Sequence, residues 1–99
     1  MILLHVTSAE AWAEAERTGV HAPAMLAKNG CLHLGTPAQL GYVLGRHFAG
    51  QTGLVLLHID QAKLGDLRWE TSEPGREAFP HLYGPLPVAA VVQAEPVQP

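Results

Sequence analysis

The sequence predicts a single α+β domain, a compact mixed and mostly antiparallel sheet arrangement with two main helices. Three observations carry that expectation. Apolar, strand-like runs open the chain at residues 2–6 and recur at residues 54–59. Two helix starts are written as capping boxes, Thr7-Ser8-Ala9-Glu10 and Thr36-Pro37-Ala38-Gln39, in which the first and fourth residues satisfy each other's backbone N–H groups. Strands and helices also fail to alternate strictly, as a parallel βαβ fold would require.

Residues 2–6 read as a short buried strand. Thr7 is expected to cap a helix over residues 8–17, with Ala9, Trp12 and Ala13 facing inward, Glu10 and Glu14 outward, and Gly19 as its end. Residues 22–28 suit a short helical turn, and Asn29-Gly30 a tight turn. Residues 31–34 read as a second strand. The second capping box starts the next helix, with Pro37 where a missing N–H costs nothing. Leu40, Val43, Leu44, His47 and Phe48 share one face of that helix, and Gly50 ends it. The run at 54–59, between Gly53 and Asp60, suits the central strand. Residues 67–70 read as a shorter strand, 71–77 as a loop around Pro74-Gly75, and 88–92 as a final strand. The domain is expected to span residues 1–94, with residues 95–99 as a flexible tail.

Composition narrows the function classes. Nine acids against six bases leave a net charge of −3, which argues against a general nucleic-acid binder with its basic stripe. No apolar stretch approaches the roughly 20 residues of a membrane span. The N-terminus lacks the cationic start and long apolar run of a signal peptide. The single cysteine, Cys31, allows no internal disulfide, so the chain reads as cytoplasmic. Phosphate-cradling Gly-rich runs, Cys-x-x-Cys and His-Glu-x-x-His patterns are absent, so no metal is expected.

The oddity is histidine: six, against two lysines. His5 lies in the first strand and His33 in the second, three residues before a helix cap. His81 lies in Phe79-Pro80-His81-Leu82-Tyr83-Gly84-Pro85, a segment stiffened by proline. A buried polar group without a partner costs about 1–3 kcal/mol, a large share of the roughly 5–15 kcal/mol of a small domain. The three histidines are therefore expected to pair with one another, to pair with Glu70, or to open on a cleft. His58 is expected on a second face of its strand, His47 near a helix C-terminus, His21 in a surface loop, and Cys31 in the core.

Leu4-His5-Val6, Trp12, Gly30-Cys31-Leu32-His33, Gln39, Leu56-Leu57-His58-Ile59-Asp60, Arg68-Trp69-Glu70 and Phe79-Pro80-His81-Leu82-Tyr83-Gly84-Pro85-Leu86 together resemble the bacterial domain of unknown function 952 family. The resemblance runs from about residue 2 to residue 92. It implies an ADP-ribosyltransferase-like fold and an NAD-binding transferase or glycohydrolase. On that basis His5 is the ribose-orienting histidine and His33 the residue of the second motif. Glu70 or His81 fills the late position that stabilises charge on the ribose. Thr7, Gly35, Thr36 and Tyr83 are the expected ligand-binding residues, with Tyr83 stacking on nicotinamide or adenine. The family commonly carries a hydroxyl or a Cys-Ser pair directly after the second-motif histidine. Here Leu34-Gly35 stands there, with Thr36 one place later. That departure favours the alternative, a non-catalytic module that binds a nucleotide-like small molecule.

Overall fold

The computed structural model describes residues 1–71 and 77–98. The two apolar runs form its centre. β1 (Ile2–Ser8) and β4 (Leu54–Asp60) pair antiparallel along their whole length, with His5 opposite Leu57 and Leu3 opposite Ile59. Since side chains alternate along a strand, Leu3, His5, Leu57 and Ile59 share one face. Leu4, Val6, Leu56 and His58 share the other. β8 (Val91–Val97) pairs antiparallel on the far side of β4 and completes the first sheet, in the order β1-β4-β8.

Between β1 and β4 run α1 (Ala9–Thr18), β2 (Val20–His21), α2 (Ala24–Asn29), β3 (Leu32–His33) and α3 (Leu40–His47). β5 (Leu67–Glu70), β6 (Phe79–Leu82) and β7 (Leu86–Pro87) follow β4. A second sheet has the order β3-β6-β5, and β2 pairs with β7 as a two-stranded ribbon. Among the described residues every strand pairing is antiparallel. The fold class is therefore α+β with antiparallel sheets. No helix among the described residues is long and apolar enough to cross a membrane.

Both faces of the first sheet are covered. Leu3, Leu57 and Ile59 meet Leu32, Leu34, Leu82, Leu86 and Ala90 in the larger core. On the other face Leu4, Val6, Leu54 and Leu56 meet Leu44 of α3, flanked by Leu40 and Phe48. Each fully buried leucine or isoleucine contributes about 1.5–3 kcal/mol.

Several boundaries differ from the sequence expectation, each for a local reason. Thr7 continues β1, opposite Val55, and Ser8 caps α1 by accepting from the Ala11 N–H at 3.1 Å. Ala15 rather than Ala13 is the buried alanine of α1. At the C-terminus, residues 88–90 form a 3₁₀ turn, and the final strand begins at Val91. Residues 95–97, expected in the tail, pair with β4 as far as Leu54 opposite Val97; the ladder partner outweighs a polar, Pro-containing sequence. The Phe79–Leu82 stretch is the central strand of the second sheet. Most of the loop expected at 71–77 lies outside the described residues.

The second capping box forms around its glutamine. Thr36 N–H donates to Gln39 Oε1 at 3.0 Å, and Gln39 Nε2 donates to the Ala78 carbonyl at 2.9 Å. Gln39 is buried, and it fixes the start of α3 to Ala78, just before the strand that carries His81.

Candidate functional site

The two sheets meet at residues 32–35. Leu32 and His33 pair with Leu82 and His81 of β6, and Leu34 N–H still donates to the Pro80 carbonyl at 2.9 Å. One residue on, the chain changes partner. Gly35 exchanges both backbone hydrogen bonds with Leu4 of β1, at 2.7 and 2.8 Å. α3 follows and leans over this seam.

Two adjoining cavities open here. The first, about 430 Å³, is lined by Leu4, His5, Thr7, Gly35, Thr36, Leu40 and Phe48, among others. The second, about 480 Å³, is lined by Gln39, Tyr42, Arg46, Glu70, Glu77, Phe79 and His81. His33, Leu34, Val43 and His47 line both, so the cavities abut along these residues. Each falls within the roughly 300–1,000 Å³ of small-molecule sites.

The expected site residues divide between them. His5, Thr7, Gly35 and Thr36 border the first cavity; Glu70 and His81 border the second; His33 borders both. Tyr83 borders neither. Its hydroxyl donates to Glu70 Oε1 at 2.5 Å, and the Arg68 guanidinium lies 4.2 Å from the centre of its ring. Tyr83 thus meets Glu70 and Arg68 rather than either cavity. Gly35 spends both backbone polar groups on Leu4, and a Cβ there would make only ordinary 3.8 Å contacts. Among the described residues no three His, Cys, Asp or Glu side chains converge closely enough to hold a metal ion.

His5 is buried, and its ring is occupied from both sides. A carbonyl can only accept, so Nδ1–H donates to the His33 carbonyl, at 2.9 Å. Nε2 of the neutral ring is then the acceptor, and His21 Nε2 lies 3.3 Å from it. His21, expected at the surface, is buried in the β2-β7 ribbon opposite Leu86. Only the fold reveals this partner. Burial is the main cause that lowers the His5 pKa to about 4, and the nearby His21 and His33 charges push the same way. His5 therefore stays neutral at physiological pH and holds the seam by the His33 backbone.

His33 is exposed in the groove. Its ring stands edge-on to that of His81, with centroids 5.0 Å apart. Its pKa is lowered, first by the desolvation its neighbours in the groove impose and then by the charges of His81 and His47. His81 Nδ1–H donates to the Phe79 carbonyl at 2.8 Å, and Glu70 Oε1 lies 3.8 Å from the same nitrogen. The hydrogen bond to Glu70 raises the Tyr83 pKa to about 12, with desolvation next. In a Tyr42→Phe variant, where Tyr83 is the one remaining tyrosine, an ultraviolet titration is expected to find its midpoint near 12. Adding Glu70→Gln should return it toward the ordinary value near 10. An unchanged midpoint would show that the carboxylate does not hold the phenol.

Sequence reasoning missed Tyr42, Arg46, His47 and Phe48 as groove residues. Their helix was read as an apolar face for packing. In the structure Leu44 alone of α3 is buried, and its neighbours form the cavity wall. The signal lay in Tyr42 and Arg46, one turn apart at i, i+4 beside that apolar stripe.

Fold and site together define a small antiparallel α+β protein with a histidine-lined groove where its two sheets part. The chain belongs to the DUF952 family of proteins of unknown function, whose family model matches residues 6–94. It is similar to protein CC0527 from Caulobacter crescentus. The crystal structure of that protein matches with a TM-score of 0.87 and 33% identity, over 97% of this chain and 85% of that one. Its solution NMR structure matches with a TM-score of 0.82, also at 33% identity, over 98% and 84%. No curated protein matches the chain.

Proposed function

We propose that the groove binds a small nucleotide-like molecule, with NAD as the first candidate, and that the fold is ADP-ribosyltransferase-like, as the family resemblance implies. The observation that supports this reading is the pair of abutting cavities around His33. One is walled largely by Leu4, Val6, Leu40 and Phe48, the other by ionisable groups. A molecule with an apolar ring at one end and polar groups at the other suits that division. His33 is the ligand-facing histidine of this reading. His5, with both ring nitrogens engaged, acts one layer behind it.

Catalysis is a second reading, and Glu70 favours it. Its carboxylate borders the same cavity as His33 and His81 and is oriented by Tyr83. A carboxylate so placed would stabilise positive charge developing on a ribose as nicotinamide leaves.

The test is thermal unfolding with NAD, ADP-ribose and nicotinamide. A ligand at ten times its dissociation constant stabilises by about 1.4 kcal/mol, a rise of roughly 6–11 °C for a domain this size. No rise with any of the three would end the nucleotide reading. Binding of NAD with release of nicotinamide, lost in Glu70→Gln, is the expected result if the groove is catalytic. Binding without release leaves a binding module.

A further inference from the structure

We infer that the second cavity is an anion seat that takes the phosphate of a nucleotide, with Arg46 as its fixed charge and His33, His47 and His81 as its further donors. This deepens the nucleotide-binding reading above and rests on it. Arg46 is exposed on the last turn of α3 and has no ion pair among the described residues. Two other arginines are each held by a neighbouring acid, Arg17 by Glu14 and Arg68 by Asp66. A basic residue in the last turn of a helix is favoured by the helix dipole alone. That accounts for Arg46 and His47 on α3. It does not account for His33 and His81, which reach the same cavity from β3 and β6 in the sheet opposite.

The charged and titratable groups that face His33 are His5 from β1, Arg46 and His47 from α3, Glu70 from β5, Glu77 from the segment before β6, and His81 from β6. Of the two acids, Glu70 already accepts from Tyr83, and Glu77 is exposed at the rim. Protonation of His33 is disfavoured, first by desolvation and then by the neighbouring His81 and His47. A bound phosphate favours the protonated imidazole and is held by charge-assisted hydrogen bonds. Affinity for it should therefore rise as pH falls. Tyr42 stacks near Phe79, with ring centroids 5.8 Å apart, one turn before Arg46 on the same side of α3. An aromatic platform and an arginine one helical turn apart, with Cβ atoms about 5–6 Å from each other, suit a base and its phosphate.

The experiment titrates ADP-ribose, inorganic pyrophosphate and adenosine into the wild type and Arg46→Ala, followed by backbone amide shifts at about pH 6 and pH 8. The pyrophosphate of ADP-ribose is diesterified and keeps its charge across that range. Arg46 is exposed, so an unchanged melting temperature will show that the variant folds. ADP-ribose is expected to bind the wild type several-fold more tightly at the lower pH. Arg46→Ala should weaken ADP-ribose and pyrophosphate about tenfold and leave adenosine unchanged. If ADP-ribose and adenosine bind and Arg46→Ala changes neither, the seat is overturned while the nucleotide reading stands. An equal affinity at both pH values overturns the role of the histidines. If pyrophosphate binds through Arg46 and no nucleotide binds, the seat stands and the nucleotide reading falls. Absence of all binding overturns both.

Discussion

Replacing Leu57 by alanine is expected to cost about 3 kcal/mol of stability, near the middle of the range for buried leucines. Leu57 sits on the central strand, fully buried, opposite His5 and within the larger core. Its removal opens a void that β4 cannot close, because that strand is hydrogen-bonded on both sides, to β1 and to β8. The melting temperature should fall by roughly 12–24 °C. Val92 on the edge strand β8 is a control of the same chemistry, 57% exposed. Val92→Ala should stay within about 0.5 kcal/mol of the wild type. Calorimetry of the two variants decides the matter. Similar melting temperatures for both would contradict the placement of β4 at the centre.

The second large effect is on pH dependence. The His5 pKa is about 4 in the folded protein, against 6.5 for an unperturbed imidazole. Between those values the unfolded chain binds a proton that the folded chain does not. Stability therefore rises with pH through this window, is complete above about 6.5, and is lost as pH falls toward 4. The shift corresponds to about 3 kcal/mol. His21 and His33, also lowered by burial, act in the same direction. Melting temperatures measured from neutral pH down to about pH 4.5 should fall steeply for the wild type. His5→Leu should flatten much of that slope, whatever it does to stability at neutral pH. A variant with the wild-type slope would show that His5 is not the group responsible.

The two central strands and the second helix start were legible because their signals are local. Apolar runs mark β1 and β4, and Gln39 completes the capping box that the sequence spells. The site was legible only in part, because partner choice between distant segments has no local signature. His5 and His33 stand out in the sequence as histidines in strands, and the fold ties the His5 ring to the His33 carbonyl across 28 residues. His21 was passed over because a two-residue strand cannot be told from a loop in sequence, and only its pairing with Leu86 buries it. Tyr83 was assigned to a ligand because the family resemblance implies an NAD site in which an aromatic ring can stack. Its hydroxyl was already committed to Glu70. Residues 95–97 looked like a tail because β4, their partner, lies some forty residues earlier.

The change of partner between His33 and Gly35 has a consequence for how such a protein can diversify. The residues that hold the seam are buried and internally satisfied: Leu4, His5, Leu34, Gly35 and Gln39. The residues that face the groove from its two walls, His33, Tyr42, Arg46 and His47, are exposed. Exposed positions away from caps and networks usually change stability by no more than about 0.5 kcal/mol. If the groove binds a ligand as proposed, ligand preference and foldability are carried by separate sets of side chains, often only one residue apart in the chain. Relatives sharing the buried set can keep the same architecture while their grooves select different molecules, and the four exposed positions are where that divergence should be sought first.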